Sequence, residues 1–242
     1  MVTRVFLLFA FMCLVFQSCL SGYKNIDGNG EQERKEFPIS DYNAIVLNLP
    51  ADVIYNNDSI SDSYVQIYTD SNILPYIRVV VEDNELIIGL EEGVNLRATN
   101  FKIFTNSKRL ESVSVNGSGK IELKGEVNAK AMKIDVSGSG CVLSDSLYCE
   151  QIYLRVSGSG KMKLKGVSNY TDLNVLGSGG IDALAFSSLD ANASVRGSGN
   201  VVLLVGRKLN ASVSGSGTIK YRGNLEEENK TVLGSGDISQ IE

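Results

Sequence analysis

The sequence predicts an all-β protein built as a β-solenoid, in which coils of about twenty residues stack on one another. Three observations lead to this prediction. The tripeptide Gly-Ser-Gly recurs at nearly even intervals through the second half of the chain, and apolar residues flank it at fixed distances, two before its first glycine and four after it. Apolar and polar residues also alternate through the tripeptide with a period of two, which is the period of a β-strand.

Each Gly-Ser-Gly is predicted to form a tight corner between two strands. Glycine adopts positive φ without strain and places no Cβ against the crowded interior, while the serine between the glycines points outward. A coil would then contain two short strands and two turns. The glycines assigned to these structural corners are Gly117, Gly119, Gly138, Gly140, Gly158, Gly160, Gly177, Gly179, Gly197, Gly199, Gly215, Gly217, Gly234 and Gly236.

The tripeptide has two other possible interpretations. A three-residue hairpin turn also preserves the alternation, so an antiparallel β meander is the alternative architecture. A nucleotide-binding loop is not predicted, because no third glycine completes G-x-G-x-x-G and no Gly-Lys-Ser/Thr follows. The repeat therefore indicates a scaffold and not a phosphate site.

The first residues are predicted to direct export. Arg4 precedes an apolar run over residues 5–16, which is too short to span a bilayer comfortably, so residues 1–18 are assigned to a signal peptide. Phe16-Gln17-Ser18-Cys19 resembles a bacterial lipobox, which would make Cys19 the lipidated first residue of the mature protein. An ordinary signal peptide with an incidental cysteine is the alternative. Residues 19–36 are polar and are predicted to be the lipidated cysteine and its tether.

The folded part divides into two segments in the sequence. Residues 37–110 are predicted to form a β segment without the glycine corner, and residues 111–242 are predicted to form the repeat solenoid. The first segment is either an irregular start of the same solenoid or a sheet packed on its end. No change of composition marks a flexible linker at Leu110, which favours one continuous body.

Composition limits the partners and the chemistry. The formal net charge is -5 and basic residues do not cluster, so no nucleic-acid partner is predicted. Histidine is absent, which removes the most common general base and transition-metal ligand. We predict no metal, no cofactor and no catalytic residue. Cys141 and Cys149 are the cysteines of the folded part, and whether they form a disulfide is left open.

These features together resemble a known family. The lipobox, the stretch EFPISDYNAIVLNLPADVIY and the repeated V-x-G-S-G-x-[IV] are similar to the family described as putative auto-transporter adhesin, head GIN domain (DUF2807), of Bacteroidetes lipoproteins. The resemblance implies a right-handed parallel β-solenoid similar to pectin-lyase-like proteins. It also implies a non-catalytic adhesin that is attached to the outer membrane of a Gram-negative cell envelope through its lipid anchor. Its ligand, a glycan or a protein, stays unknown, and self-association through the open solenoid ends is a further expectation.

The tripeptides Asp58-Ser59-Ile60 and Asp145-Ser146-Leu147 resemble the Asp-Ser/Thr-apolar acceptor of Bacteroidetes O-glycosylation, which makes Ser59 and Ser146 candidate acceptors. The alternative for each is an Asp-initiated surface turn. Two other functions stay open. One is a polysaccharide-active enzyme that uses Asp52, Asp58 or Glu82, and the other is a periplasm-facing scaffold or sensor. The residues directly after Cys19, from Leu20 to Lys24, include no aspartate or glutamate, which favours the periplasmic face of the membrane over the cell surface.

Overall fold

The computed structural model describes residues 23–57 and 62–242, which form β-strands and one 3-10 turn at Leu74–Tyr76. No helix in these residues is long and apolar enough to cross a membrane. The first nine strands are β1 Lys24–Asp27, β2 Gln32–Pro38, β3 Ala44–Leu47, β4 Asp52–Asn56, β5 Tyr64–Asp70, β6 Ile77–Glu82, β7 Glu85–Leu90, β8 Val94–Arg97 and β9 Lys102–Thr105. The others are β10 Ser112–Gly117, β11 Lys120–Gly138, β12 Cys141–Gly158, β13 Lys161–Gly177, β14 Gly180–Gly197, β15 Asn200–Gly215, β16 Thr218–Arg222, β17 Glu227–Gly234 and β18 Asp237–Gln240.

The second half of the chain is a parallel β-solenoid, as the sequence predicts. β11 pairs with β12, β12 with β13, β13 with β14 and β14 with β15, and every one of these pairings is parallel. The register joins residues about twenty positions apart, for example Lys120 with Cys141. The antiparallel meander is therefore wrong for this half.

Each coil has three paired stretches, where the sequence predicted two short strands. β11 pairs with β12 over residues 120–123, 126–129 and 131–138. The first bend lies at Gly125, which has a φ of 75°. The equivalent bend of the next coil contains Asp145 and no glycine. Because no fixed residue type marks this bend, the repeat pattern did not reveal it.

Two glycines with different roles form each corner. Gly138 has a φ of 113°, which strains any residue with a side chain. A Cβ on Gly140 would lie 2.6 Å from Cγ1 of Val115 and 2.7 Å from the carbonyl oxygen of Gly119 in the preceding coil. Ser139, between them, is exposed and its backbone N–H donates to the carbonyl of Gly117. The motif V-x-G-S-G thus packs the valine of one coil beneath the second glycine of the next.

The N-terminal half continues the solenoid with parallel strands and covers its end with antiparallel strands. β3 and β4 pair in parallel with β10 and β11, and β7 and β9 extend the stack in the same direction. β5 and β6 then add antiparallel to β9 and β7, and β2 adds antiparallel to β5. Residues 37–110 therefore contain both parallel strands that continue the solenoid and antiparallel strands that form a cap at its end.

Part of the predicted tether is folded. Residues 24–27 form β1, paired with β8, and residues 32–38 form β2, paired with β5. The side chains of both strands are mostly exposed. The sequence of the segment is therefore typical of a polar linker, although its backbone is paired in a sheet. Asp70 fastens this segment to the cap: its buried carboxylate accepts hydrogen bonds from the backbone N–H groups of Gly30 and Thr99, each at 2.8 Å.

The C-terminal end of the solenoid places charges where earlier coils place apolar residues. Glu228 pairs in register with buried Leu209, and Lys230 pairs with buried Ala211. Glu228 and Lys230 form an ion pair, and Nζ of Lys230 donates to the hydroxyl of Tyr221 at 2.9 Å. A charged pair therefore covers the last layer of the core.

Candidate ligand-binding face

The third paired stretch of each coil carries an outward face of polar side chains. Because alternate residues of a strand share a face, the outward side chains form columns that run along the solenoid axis. One column lies five residues before the first corner glycine and contains carboxamides in the last three repeats. A second column lies three residues before that glycine and contains mainly hydroxyls. Between these columns lies a shallow groove, here called the amide groove, lined by Asp172, Asn174, Asn192, Ser194, Asn210, Ser212, Asn229 and Thr231.

The carboxamides of the amide groove form a hydrogen-bonded ladder. Nδ2 of Asn229 donates to Oδ1 of Asn210 at 3.0 Å, and Nδ2 of Asn210 donates to Oδ1 of Asn192 at 2.8 Å. Nδ2 of Asn192 then donates to the hydroxyl of Tyr170 at 2.7 Å. The ladder connects β17, β15, β14 and β13 and orients each amide along the axis.

Small residues form the floor of the amide groove. Ala193 and Ala211 also line it, and their side chains point into the core. Ser194 and Ser212 pair in register across neighbouring coils and form the opposite wall. Because these side chains are short, the groove is open to solvent along its length.

Two tyrosines stand at the N-terminal end of the amide groove. Tyr153 pairs in register with Asp172 and its side chain is 43% exposed. Its hydroxyl donates to Oε1 of Gln151 at 2.9 Å, which fixes the ring. The ring meets that of Tyr170 edge to face, with centroids 6.3 Å apart. An aromatic surface thus continues the line of the groove.

Asp172 is the titratable group that lines the amide groove. Burial raises the pKa of its carboxyl above the usual value, although hydrogen bonds from Asn174 and Tyr170 act in the opposite direction. Burial also raises the pKa of the Tyr170 hydroxyl, and the neighbouring carboxylate of Asp172 raises it further. At neutral pH the groove therefore holds a neutral phenol beside a half-buried carboxyl.

Two ion pairs lie beside the amide groove. Nε of Arg207 donates to Asp190 at 2.8 Å, and this hydrogen bond lowers the pKa of the Asp190 carboxyl. Nζ of Lys208 lies 2.7 Å from Oε1 of Glu227. No lysine or arginine lines the amide groove itself in the part of the chain that the structure describes.

The predicted modification sites fall in different places. Cys19 and Ser59 lie outside the described residues, so lipidation and glycosylation there stay predictions. Ser146 is half-buried and follows Asp145 at the first bend of its coil, where the pairing of β11 with β12 shifts register. Nζ of Lys124 donates to the carboxylate of Asp145 at 3.1 Å. Ser146 also stays a candidate acceptor.

Cys141 and Cys149 are both free thiols. Cys141 follows the glycine corner and pairs with Lys120 and Lys161, whereas Cys149 lies in the second stretch and pairs with Ala129. Burial raises the pKa of the Cys149 thiol to about 12, and it also raises that of Cys141. The two thiols thus lie on different parts of the coil.

The carboxylates considered for an enzyme do not share a strand pair. Asp52 lies on β4, which pairs with β9 and β11, whereas Glu82 lies on β6, which pairs with β7. Glu82 is exposed and forms an ion pair with Arg78 at 3.2 Å. Asp58 lies outside the described residues. Within those residues, no group of three His, Cys, Asp or Glu side chains could hold a metal ion.

The amide groove was not predicted from the sequence, because the prediction used the apolar residues that flank each corner and not the polar residues between them. From the third repeat onward, the column five residues before the first glycine contains Tyr153, Asp172, Asn192, Asn210 and Asn229. The three successive asparagines at its end are the signal that could have revealed the groove.

Comparisons with known proteins agree with this architecture. A protein from Bacteroides fragilis, named a putative adhesin, has a solved structure that matches with a TM-score of 0.85 and 26% identity over 89% of this chain and 100% of its own. A protein from Parabacteroides distasonis, named a putative lipid binding protein, matches with a TM-score of 0.78 and 28% identity over 90% of this chain and 100% of its own.

A second protein from Parabacteroides distasonis, named a putative adhesin, matches with a TM-score of 0.75 and 25% identity over 90% of this chain and 100% of its own. No curated protein matches the chain. The family model described as "Putative auto-transporter adhesin, head GIN domain" matches residues 41–224, which include β3 to β16. The chain therefore belongs to the putative auto-transporter adhesin, head GIN domain family.

Proposed function

We propose that this chain is a non-catalytic, lipid-anchored adhesin of a Gram-negative outer membrane, which binds a glycan or protein ligand on the side of its solenoid. The observation that carries the proposal is the amide groove, an open line of hydrogen-bonding side chains across four strands. Membership of the family and the names of its relatives support a binding role. The sequence motif that ends at Cys19 supports the lipid anchor.

Antibody labelling of an epitope-tagged chain on intact and permeabilised cells tests the adhesin proposal. We expect labelling of intact cells, and we expect a Cys19→Ala variant to lose membrane attachment. A periplasmic marker, which must label only after permeabilisation, is the control. Labelling of the chain only after permeabilisation would overturn the surface adhesin.

That second outcome would favour a periplasm-facing scaffold. The observation in its favour is that the residues directly after Cys19, from Leu20 to Lys24, contain no aspartate or glutamate. Recovery of another envelope protein with the chain after cross-linking in intact cells would support this function. Its failure to recover any partner would count against it.

A further inference from the structure

We infer that the amide groove binds an extended, uncharged polysaccharide chain that lies along the solenoid axis. The inference rests on the proposed function, whose glycan or protein ligand it narrows to one class of polymer. Four features of the groove lead to it: its direction, its hydrogen-bonding capacity, its aromatic end and its charge.

The amide groove runs perpendicular to the strands and repeats once per coil. Neighbouring coils of a parallel β-sheet lie about 4.8 Å apart. Each step along the axis therefore presents one side chain of the amide column beside one of the hydroxyl column, for example Asn192 with Ser194 and Asn210 with Ser212. A periodic surface of this kind suits a polymer that repeats its own functional groups.

The ladder leaves hydrogen-bonding capacity free at every step. A carboxamide has two N–H donors and an oxygen with two lone pairs. Asn210 uses one donor toward Asn192 and one lone pair for Asn229. One donor and one acceptor remain beside the hydroxyl of Ser212, which can itself donate or accept. Sugar hydroxyls have this same dual character and can satisfy both groups.

The aromatic end adds an apolar contact that a sugar ring can use. Tyr153 is exposed on the line of the groove, and its contacts with Gln151 and Tyr170 hold the ring in place. Tyrosine combines an apolar ring with a polar hydroxyl, and it loses little side-chain conformational entropy when a ligand binds. The C–H face of a pyranose packs on such a ring while its hydroxyls bond to neighbouring amides.

Charge favours an uncharged polymer. The nearby cations Arg207 and Lys208 are already paired with Asp190 and Glu227. The remaining carboxyl, Asp172, lines the groove and offers an anionic chain no opposite charge. Arg155, which pairs in register with Asn174, is exposed and its Nε donates to the hydroxyl of Ser157. The groove lining itself contains no lysine or arginine that could bind a phosphate-rich or acidic polymer.

Binding of the purified full chain in detergent to immobilised polysaccharides tests the inference. The panel contains the neutral polymers xylan, mannan and dextran, with polygalacturonate as the anionic polymer and gelatin as the extended polypeptide. We expect at least one neutral polymer to bind. Tyr153→Ala should weaken that binding by about 3- to 10-fold and Asn210→Ala by about 5-fold.

Matched variants separate a binding role from a structural one. Tyr148 is 42% exposed on the second stretch of the coil that contains Tyr153. Asn169 is exposed at the bend after the second stretch of the next coil. Because both lie outside the amide groove, Tyr148→Ala and Asn169→Ala should leave the affinity for the polysaccharide unchanged. Thermal unfolding shows whether Asn210→Ala acts by loosening the ladder. A variant that unfolds at the wild-type temperature and still binds less strongly supports the inference.

Three results would overturn the inference: no binding to a neutral polymer, binding only to polygalacturonate or gelatin, or equal losses in the groove variants and their controls. Cell labelling tests the proposed location on the cell surface independently of polysaccharide binding. Groove-dependent binding by a chain that labels only in permeabilised cells would retain the inference and reject the surface adhesin. Surface labelling without polysaccharide binding would retain the surface adhesin and reject the inference.

Discussion

At the scale of single residues, the second glycine of a corner is required by space and not by its φ angle. A Cβ at Gly140 would meet Val115 at 2.6 Å and the backbone oxygen of Gly119 at 2.7 Å. Backbone cannot move aside as a flexible side chain can, so Gly140→Ala should lower the free energy of unfolding by about 2 kcal/mol or more. Urea unfolding of purified protein measures this loss.

Gly206→Ala is the matched control for this prediction. Gly206 is exposed, and a Cβ there would lie 3.7 Å from its nearest neighbour, an ordinary contact distance. Its replacement should change stability by less than about 1 kcal/mol. Equal effects of the two variants would show that the corner does not need a glycine at this position.

Asp70 gives the cap a dependence on pH that can be measured. Burial by itself raises the pKa of this carboxyl, but hydrogen bonds from Thr99 and Gly30 outweigh burial, and the net effect lowers the pKa below 3.8. A carboxyl with a lowered pKa in the folded state stabilises the protein above its unfolded pKa, and this contribution is lost as the pH falls through the folded pKa. Wild-type protein should therefore lose the contribution of Asp70 below about pH 4.

Asp70→Asn tests that contribution. The asparagine amide would place donors opposite the backbone N–H groups of Gly30 or Thr99, which leaves buried polar groups unsatisfied. We expect a loss of about 1–3 kcal/mol at pH 7 and a smaller difference from wild type at pH 3. Chemical unfolding at both pH values measures it, and a difference that grows at pH 3 would contradict the assigned role.

At the scale of elements, β17 shows how the solenoid ends. Glu228 and Lys230 occupy inward positions that Leu209 and Ala211 occupy one coil earlier. Inward charges at a sheet edge discourage pairing with a second molecule. The sequence analysis expected self-association through open ends, whereas this pair disfavours it at the C-terminal end.

The double variant Glu228→Leu with Lys230→Leu should associate end to end. Each leucine would extend an apolar column, and its burial between two molecules is worth about 1.5–3 kcal/mol, so dimerisation should strengthen at least tenfold. Sedimentation velocity measures the change. Lys163→Leu with Asp182→Leu removes an ion pair from the side of the rod and should not cause it. Identical sedimentation of the end variant and wild type would show that this pair does not protect the end.

At the scale of the whole molecule, the stacked coils predict a gradient of local stability. A central coil such as β13 pairs with neighbours on both sides, whereas β17 pairs on one side only and all its residues are exposed. Hydrogen–deuterium exchange should be slow over residues 161–177 and faster over residues 227–234. Equal protection of the two segments would indicate an additional partner at the C-terminal end.

Several features of this protein could be determined from the sequence by itself. The fixed spacing of V-x-G-S-G and the alternation around it determined the β-solenoid, the family and the inward columns that form the core. These features are local, because each depends on a residue type that the backbone requires at one position. Gly138 needs positive φ and Gly140 needs the absence of a side chain, so both appear in every copy of the repeat.

Only the tertiary structure decided the remaining features, because they depend on residues that stacking brings together. The ladder from Asn229 to Asn192 joins residues almost twenty positions apart, and its members look like ordinary surface residues in the sequence. The polar strand β2 is recognisable only from its partner β5, since its own side chains are exposed. The cap, the groove and the charged end follow from register between coils, which no single coil encodes.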